Sequence, residues 1–294
     1  MGLFTCIFVR QKEKLNVRKL SATEVKTGLG GLHGNKGALV VRLILDDSSL
    51  CFVNCHLAAG QSHTTHRNND IATILESASL PPELNDAMRH DYFVGGGDGS
   101  MVLDHEICIF NGDLNYRIDL PRETVLSHIR RNDLEKLLDH DQLLVQRRKN
   151  PGFRLRPFSE PLITFAPTYK YNVGSEEYDT SEKKRTPAWC DRIYYRGAIG
   201  KITPIKYERH EVYASDHRPV SAAFVASVKM VDPQKKQKVW DETAKLWLSA
   251  AHKAIEDAKV NYICGTYGFE DDGVRKALHQ KGGKVLDTVR FLGG

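Results

Sequence analysis

Short apolar, β-prone runs recur along this chain of 294 residues, and several of them end in a cluster of polar residues. The runs 38–45 and 50–56 flank Asp46-Asp47-Ser48-Ser49, a spacing that predicts a β-hairpin. The run 107–110 leads into Asn111-Gly112-Asp113. Because functional side chains of layered α/β folds collect on the loops that leave a sheet, the pattern predicts a sheet whose strand ends form one polar site.

Apolar runs and helical periodicity predict the remaining elements. We predict a buried strand over 3–9, an alternating segment over 16–26, a loop over 28–37, helices over 62–78 and 121–146, and strands over 193–195 and 221–228. Residues 161–190 are polar and have the composition of loops. The mixture of strands and helices indicates an α/β class of fold.

The composition changes near Asp232-Pro233, and we place a domain boundary there, between residues 1–231 and 232–294. Residues 234–259 form a charged helical pattern in which two tryptophans and several alanines recur at helical spacing. Such an apolar stripe packs on the same domain, binds a partner protein or lies on a membrane. Its polar face mixes Lys with Asp and Glu, which does not favour a membrane surface, so packing against protein is expected.

Composition and charge set only loose limits on function. The net charge of +5 is compatible with an anionic partner but does not identify one. No run approaches the ~20 apolar residues of a membrane-spanning helix, and the first residues do not form a recognisable signal peptide. No pair among the six cysteines has the CxxC spacing of a zinc site, so we expect reduced core thiols in a cytoplasmic protein.

Five polar clusters lie at or near predicted strand ends. They are N-C-H-L-A-A-G-Q at 54–61, F-N-G-D-L-N-Y-R-I-D at 110–119, T-Y-K-Y at 168–171, K-K-R-T-P-A-W-C-D-R-I at 183–193 and S-D-H-R-P-V at 215–220. Taken singly, each has an ordinary explanation, such as a core histidine, a turn after a glycine or a solvated run of cations. Taken together, they supply the histidines, acids, amide and cations with which proteins hydrolyse a phosphate ester.

Each of these residue types has a role in that chemistry. A carboxylate such as Asp113 orients and deprotonates the attacking water. A histidine paired with a carboxylate stays protonated and donates to a phosphate oxygen. Cations neutralise the charge that builds up on the transferred phosphoryl group, and a divalent metal held by carboxylate oxygens polarises it.

Several segments carry a specific resemblance. G-D-L-N-Y-R-I-D, T-P-A-W-C-D-R-I and S-D-H-R-P-V resemble the signature motifs of the inositol polyphosphate 5-phosphatases, within the DNase I-like endonuclease/exonuclease/phosphatase fold. T-G-L-G-G-L-H-G-N-K-G-A and C-H-L-A-A-G-Q match earlier motifs of that family in the same order, so the resemblance covers residues 3–228. It implies an α/β (α+β) fold, a four-layer sandwich of two packed mixed β-sheets flanked by helices, missing its first strands.

The resemblance also implies catalytic roles. Asp113 orients and deprotonates the water, and Asn115 holds the water and the scissile phosphate. His217 contacts that phosphate, while Asp191 orients its imidazole. His56 donates to a phosphate oxygen.

The residues implied to bind the other phosphates form two groups. The phosphate next to the one removed is bound by Tyr169, Lys170, Lys184 and Arg185. The phosphate on the far side of the ring is bound by Asn35 and Lys36. For both groups a solvated surface remains the alternative.

The cofactor implied by the resemblance is Mg²⁺, with Asp216 supporting the metal and the residues around it. The family's main metal ligands are an Asn and then a Glu on opening strands that precede the T-G-L-G-G loop. Glu13 and Glu24 lie in the wrong segment to replace that Glu. We therefore expect the chain to be truncated before its main metal ligand, to bind Mg²⁺ poorly and to have weak or no phosphatase activity.

The implied substrate is a phosphoinositide headgroup at a membrane surface, such as phosphatidylinositol 4,5-bisphosphate. The 3,4,5-trisphosphate and soluble inositol polyphosphates remain open. We expect a cytoplasmic protein peripheral to membranes, without a nucleic acid partner. Two alternatives remain: a non-catalytic phosphoinositide-binding module and, less favoured, a nuclease of the same fold, against which the T-Y-K and T-P-A-W-C-D-R segments count.

Overall fold

The computed structural model describes residues 2–28 and 33–293. Its strands and α-helices, in chain order, are β1 (Val17–Gly28), β2 (His33–Leu45), β3 (Ser48–His56), α1 (Thr64–Glu76), α2 (Asp86–Tyr92), β4 (Ile107–Asp113), α3 (Arg122–Arg130), α4 (Leu134–Leu138), α5 (Gln142–Lys149), β5 (Asp191–Arg196), β6 (Ile202–Arg209), β7 (Val220–Ala226), α6 (Pro233–Tyr267), α7 (Asp271–Gln280) and α8 (Val285–Gly293). Two short 3₁₀ helices lie at Gln11–Asn16 and Val102–Asp104. The chain divides into two compact units, Met1–Met230 and Val231–Gly294.

The first unit contains a five-stranded mixed sheet with the strand order β1-β2-β3-β4-β5. β2 and β3 form the predicted hairpin, in which Leu45 lies opposite Ser48. β3 and β4 are parallel, and the other neighbouring strands are antiparallel. Parallel neighbours need a long crossover, and here the crossover contains α1. As a result β3 and β4 end at the same edge of the sheet.

A core of β-branched, aromatic and thiol side chains covers one face of this sheet. Val40, Val53, Cys55 and Phe110 are fully buried, and they pack in one cluster with Leu75 of α1. Each such side chain contributes about 1.5–3 kcal/mol relative to an exposed one. This packing fixes the strands, and therefore the positions at which they end.

β6 and β7 form a second, two-stranded antiparallel sheet. The ring of Tyr195 in β5 lies 5.2 Å from that of Phe224 in β7. On β5, the buried Arg192 pairs with Asp141 at 3.1 Å and with Glu160 at 2.5 Å. Because Asp141 is also the N-cap of α5, this ion network connects the strand to the helices that follow β4.

One predicted element was wrong in kind, and another was wrong in its continuity. Residues 3–9 were predicted as a buried strand, but they form no strand, and Phe4 and Phe8 are 80% and 92% exposed. The helix predicted over 121–146 is divided into α3, α4 and α5. It is interrupted where Asn132 takes a positive φ of 55°. An apolar run and a helical periodicity do not reveal such local breaks.

Two further differences concern loops. The loop predicted over 28–37 is shorter, since residues 33–37 belong to β2, while residues 29–32 lie outside the described part of the chain. Strand β6 was not predicted. It contains Pro204 and ends in Lys206-Tyr207-Glu208-Arg209, so it lacks the apolar run by which the other strands were found.

The second unit is a small helical assembly of α6, α7 and α8. Its core includes Val260 and Ile263 of α6 and Val274 and Leu278 of α7. All four lie outside the amino-terminal half of α6, where the tryptophans of the predicted stripe, Trp240 and Trp247, remain 65% and 67% exposed. Within residues 2–28 and 33–293, every helix is too short or too polar to span a bilayer.

Candidate active site

Three predicted site residues form a row across the ends of neighbouring strands. His56 at the end of β3 is the register partner of Asp113 at the end of β4, and Asp113 is in turn the partner of Asp191 at the start of β5. His56 Nε2 lies 3.3 Å from Asp113 Oδ2. The sheet register therefore places an imidazole and two carboxylates side by side.

Gly112 makes the close approach of β3 and β4 possible at this point. It has a φ of +132°, and a Cβ atom there would lie 2.1 Å from the carbonyl oxygen of Cys55. Only glycine fits such a position without moving the backbone. The sequence N-G-D thus sets Asp113 at the end of β4, directly beside β3.

Asn115 turns the chain back over Asp113. It is buried and adopts a φ of +56°, a region that Asn tolerates better than most residues. Its backbone N–H donates to Asp113 Oδ1 at 3.0 Å, and its Nδ2 donates to Asp113 Oδ2 at 3.1 Å. Both carboxylate oxygens of Asp113 are therefore held by one residue.

His217 reaches the row from the segment before β7. Its Nδ1 lies 2.9 Å from Asp191 Oδ2, and the same oxygen accepts a hydrogen bond from Thr168 Oγ1 at 2.7 Å. The ring of Tyr169 lies 4.7 Å from that of His217. A carboxylate that binds Nδ1 fixes the tautomer and directs Nε2 away from itself.

A cation lies on each side of the row. On the β2 side, Lys36 Nζ contacts His56 Nε2. Lys36, His56 and Asn35 line one cleft of about 190 Å³. On the other side, Lys170 Nζ donates to Asp216 Oδ2 at 2.6 Å.

The site opens into a cavity of about 320 Å³ lined by Asp113, Asp191 and His217, among others. This volume lies within the range of about 300–1,000 Å³ typical of small-molecule sites. Lys184 and Arg185 are different, because both side chains are exposed. Their loop is held through Asp179, whose Oδ2 accepts from the Arg185 N–H at 2.8 Å.

Burial and neighbouring charges shift the pKa values of two residues of the row and of His217 beside it. Burial, assisted by the charge of Asp191, raises the pKa of Asp113 to about 6. Burial and the ammonium of Lys36 lower the pKa of His56 to about 4. Burial alone would lower the pKa of His217, but the hydrogen bond and charge of Asp191 outweigh it and raise that pKa. Near neutral pH, Asp113 is thus an ionised base close to its pKa and His56 is neutral.

The donors for a divalent metal form an incomplete set. Asp216, the predicted metal residue, is engaged by Lys170. Within the ranges 2–28 and 33–293, no group of three or more His, Cys, Asp or Glu side chains could hold a metal ion. These residues alone therefore do not fit Mg²⁺, which requires a nearly octahedral set of oxygens.

Two polar residues of the site were not singled out from the sequence. Arg117 is buried and contacts both Asn115 and the ring of Tyr169. Thr168 donates to Asp191. Both lie inside clusters that the sequence marks, G-D-L-N-Y-R and T-Y-K-Y. Their position beside recognised site residues was the available signal.

A family model described as endonuclease/exonuclease/phosphatase family 2 matches residues 1–223 of the chain. The chain belongs to the endonuclease/exonuclease/phosphatase family.

Among similar proteins, a probable inositol polyphosphate 5-phosphatase of Schizosaccharomyces pombe is 56% identical over 263 residues, which is 90% of this chain and 22% of that protein. Synaptojanin-1 of Rattus norvegicus is 38% identical over 269 residues, covering 82% of this chain and 16% of that protein. The chain thus spans about a fifth of the length of these relatives.

Solved structures agree with this assignment. The inositol polyphosphate 5-phosphatase domain of a synaptojanin, in complex with inositol (1,4)-bisphosphate and a calcium ion, is 34% identical, with a TM-score of 0.67. The match covers 83% of this chain and 65% of that domain. The predicted family and its DNase I-like fold class are confirmed. A Cimex nitrophorin at 22% identity, with a TM-score of 0.53, shares the fold alone.

Proposed function

We propose that this endonuclease/exonuclease/phosphatase family member hydrolyses the 5-phosphate of phosphoinositide headgroups, phosphatidylinositol 4,5-bisphosphate first among them, as a cytoplasmic protein at the membrane surface. The observation that carries the proposal is the row His56, Asp113 and Asp191, with His217 bound to its last member. It lies within the motifs of the phosphatase branch, and the matched synaptojanin domain binds an inositol bisphosphate.

In the proposed reaction Asp113 takes a proton from the attacking water. Its pKa of about 6 allows it to be ionised yet basic near neutral pH. Asn115 holds the Asp113 carboxylate in place and contacts the water and phosphate. His217, protonated through its pairing with Asp191, donates a hydrogen bond from Nε2 to an oxygen of the scissile phosphate. The water oxygen bonds to phosphorus as the bond from phosphorus to the inositol 5-oxygen breaks, and that oxygen takes a proton from solvent and leaves as a hydroxyl.

The flanking cations bind the remaining phosphates in this proposal. Lys36 and Asn35 line the cleft on the β2 side and contact a phosphate across the ring. Tyr169 and Lys170, beside His217, contact the phosphate next to the one removed. The exposed side chains of Lys184 and Arg185 reach the same phosphate from the solvent side.

We further propose that the reaction uses a divalent cation, Mg²⁺, that neutralises charge on the phosphate. Asp216 supports that region, but the described residues do not complete the ligand set. We therefore expect turnover by these 294 residues alone to be slow.

Release of inorganic phosphate from four substrates with Mg²⁺ tests the proposal. The substrates are vesicles with phosphatidylinositol 4,5-bisphosphate or 4-phosphate, and soluble inositol 1,4,5-trisphosphate or 1,4-bisphosphate. We expect slow release from the two that carry a 5-phosphate, lost in Asp113→Asn and retained in the exposed control Asp139→Asn. Equal release from the substrates without a 5-phosphate, or release independent of Asp113, would contradict the proposal.

The second candidate is a non-catalytic phosphoinositide-binding module, favoured by the incomplete metal donors. It predicts co-sedimentation with the same vesicles, unaffected by Mg²⁺, without Asp113-dependent phosphate release. A nuclease would instead nick plasmid DNA, an activity that the phosphatase names of the similar proteins do not favour.

A further inference from the structure

Arg117 is a buried guanidinium that follows the G-D-L-N turn and contacts two different parts of the site. Its Nη2 donates to Asn115 Oδ1 at 2.6 Å, and its Nε donates to the Asn115 carbonyl at 3.0 Å. Its carbon Cζ lies 4.5 Å from the centre of the Tyr169 ring. None of the ion pairs found among the described residues includes Arg117. Its guanidinium therefore interacts with the side-chain amide and backbone carbonyl of Asn115 and with the face of the Tyr169 ring.

The contacts around Asn115 allow only one orientation of its side-chain amide. The Leu57 carbonyl and the Asp113 carboxylate, each 3.1 Å from Nδ2, can only accept hydrogen bonds. Arg117 can only donate. A flipped amide would place Oδ1 against two acceptors and NH₂ against a guanidinium, so every contact would become repulsive. Arg117 thus stabilises the orientation in which Nδ2 points at Asp113.

The second contact of Arg117 extends this effect to the other side of the site. The guanidinium lies against the Tyr169 ring, and that ring lies 4.7 Å from the imidazole of His217. His217 in turn binds Asp191. One rigid, planar group therefore connects the Asp113–Asn115 turn to the segment that supports His217.

We propose that Arg117 is a positioning residue for the hydrolysis, which fixes the amide of Asn115 toward Asp113 and supports the Tyr169 face against His217. The inference rests on the proposed function for its catalytic consequence, but the amide orientation can be observed without turnover. Lysine cannot replace Arg117 fully, since a single ammonium cannot donate to both oxygens of Asn115 and lie flat on Tyr169.

The first test is an NMR spectrum of the full chain labelled with ¹⁵N-asparagine, in which Asn115→Ala identifies the Asn115 side-chain NH₂ pair. We expect that pair to be resolved in the unmodified protein and to shift or broaden in Arg117→Met. Arg147→Met is the matched control, because Arg147 also donates to backbone carbonyls and lies over a tyrosine, Tyr194, away from the site. An Asn115 signal that Arg117→Met leaves unchanged overturns the proposal.

The second test is a double-mutant cycle in single-turnover phosphate release, with protein in excess over inositol 1,4,5-trisphosphate. Arg117→Met should lower the rate by about 100-fold with little change in substrate affinity, and Arg117→Lys should lower it less. In an Asn115→Ala background the same change should cost no more than about threefold. An equal loss in both backgrounds would show that Arg117 does not act through the Asn115 amide and would refute that positioning role.

The two proposals fail in different ways. If the unmodified protein shows no Asp113-dependent release, the proposed phosphatase function fails, while the Asn115 resonance still decides the role of Arg117. If Arg117→Met unfolds, as thermal denaturation would show, Arg117→Lys supplies both readouts, with an intermediate Asn115 shift expected and an unchanged one counting against the proposal.

Discussion

Replacing Asp113 by asparagine should stabilise the free protein at neutral pH, although it removes the proposed base. Burial and the neighbouring Asp191 raise the pKa of Asp113 from 3.8 to about 6. A carboxyl whose pKa is higher in the folded state binds its proton more tightly there, so the ionised form destabilises the fold. This destabilisation is absent below the pKa that Asp113 has in the unfolded chain, and it is complete above about pH 6.

The size of the effect follows from the shift. About 2 pKa units at 1.36 kcal/mol each correspond to about 3 kcal/mol above pH 7. Asparagine removes this penalty but keeps only one acceptor oxygen for the two donors of Asn115, at a cost of about 1 kcal/mol. We therefore expect Asp113→Asn to raise the free energy of unfolding by about 2 kcal/mol at pH 8. At pH 4.5 this gain should be smaller by about 2 kcal/mol.

Urea denaturation of Asp113→Asn between pH 4.5 and 8 measures this difference. The chain has three tryptophans, and changing the exposed Trp240 and Trp247 to phenylalanine leaves the buried Trp189 to report on the first unit alone. Asp216→Asn is a control of opposite sign: although burial acts to raise the pKa of Asp216, Lys170 lowers it overall, so the variant should be less stable at neutral pH. A loss of stability in Asp113→Asn that is constant with pH would refute the reasoning.

Three other predictions follow from the same electrostatics. Stopped-flow phosphate release should give a kcat/KM that falls below about pH 6 as Asp113 is protonated, and Asp191→Asn should move this limb to lower pH. Lys36→Met should raise the pKa of His56 only part of the way from about 4 to its ordinary value, because burial is the larger cause, as an NMR titration would show. Arg192→Leu leaves two buried acids without their cation and should cost about 3–5 kcal/mol in urea denaturation, with Arg147→Met as a less affected reference.

The ends of the central strands could be predicted because each lies where an apolar run meets a polar cluster. His56 and Asp113 both satisfy that pattern, and parallel pairing then makes them register partners. The pairing itself is not visible in the sequence, since it depends on the crossover through α1. The sequence therefore indicated residues of the candidate site, while the register determined their order.

Other features depend on contacts that no local pattern encodes. The apolar run 3–9 resembles a core strand, yet whether it is buried depends on which surface is available to it. Lys36 and Lys184 were both expected to bind phosphate, but only Lys36 lies on a strand of the central sheet and contacts a residue of the row. Arg117 was missed although it lies within a motif, because a charged residue usually faces solvent. Its burial against Tyr169 depends on the tertiary structure.

The order of charges along the sheet edge, more than the fold itself, supports the proposed hydrolysis. From β2 to β5 the edge carries the ammonium of Lys36, the neutral imidazole of His56 and the carboxylates of Asp113 and Asp191. The imidazole of His217 follows. The sheet holds like charges together at Asp113 and Asp191, which costs stability and raises the basicity of Asp113. A fold shared with a nitrophorin does not by itself imply that arrangement, whereas the proposed activation of a water beside an anionic phosphate requires it.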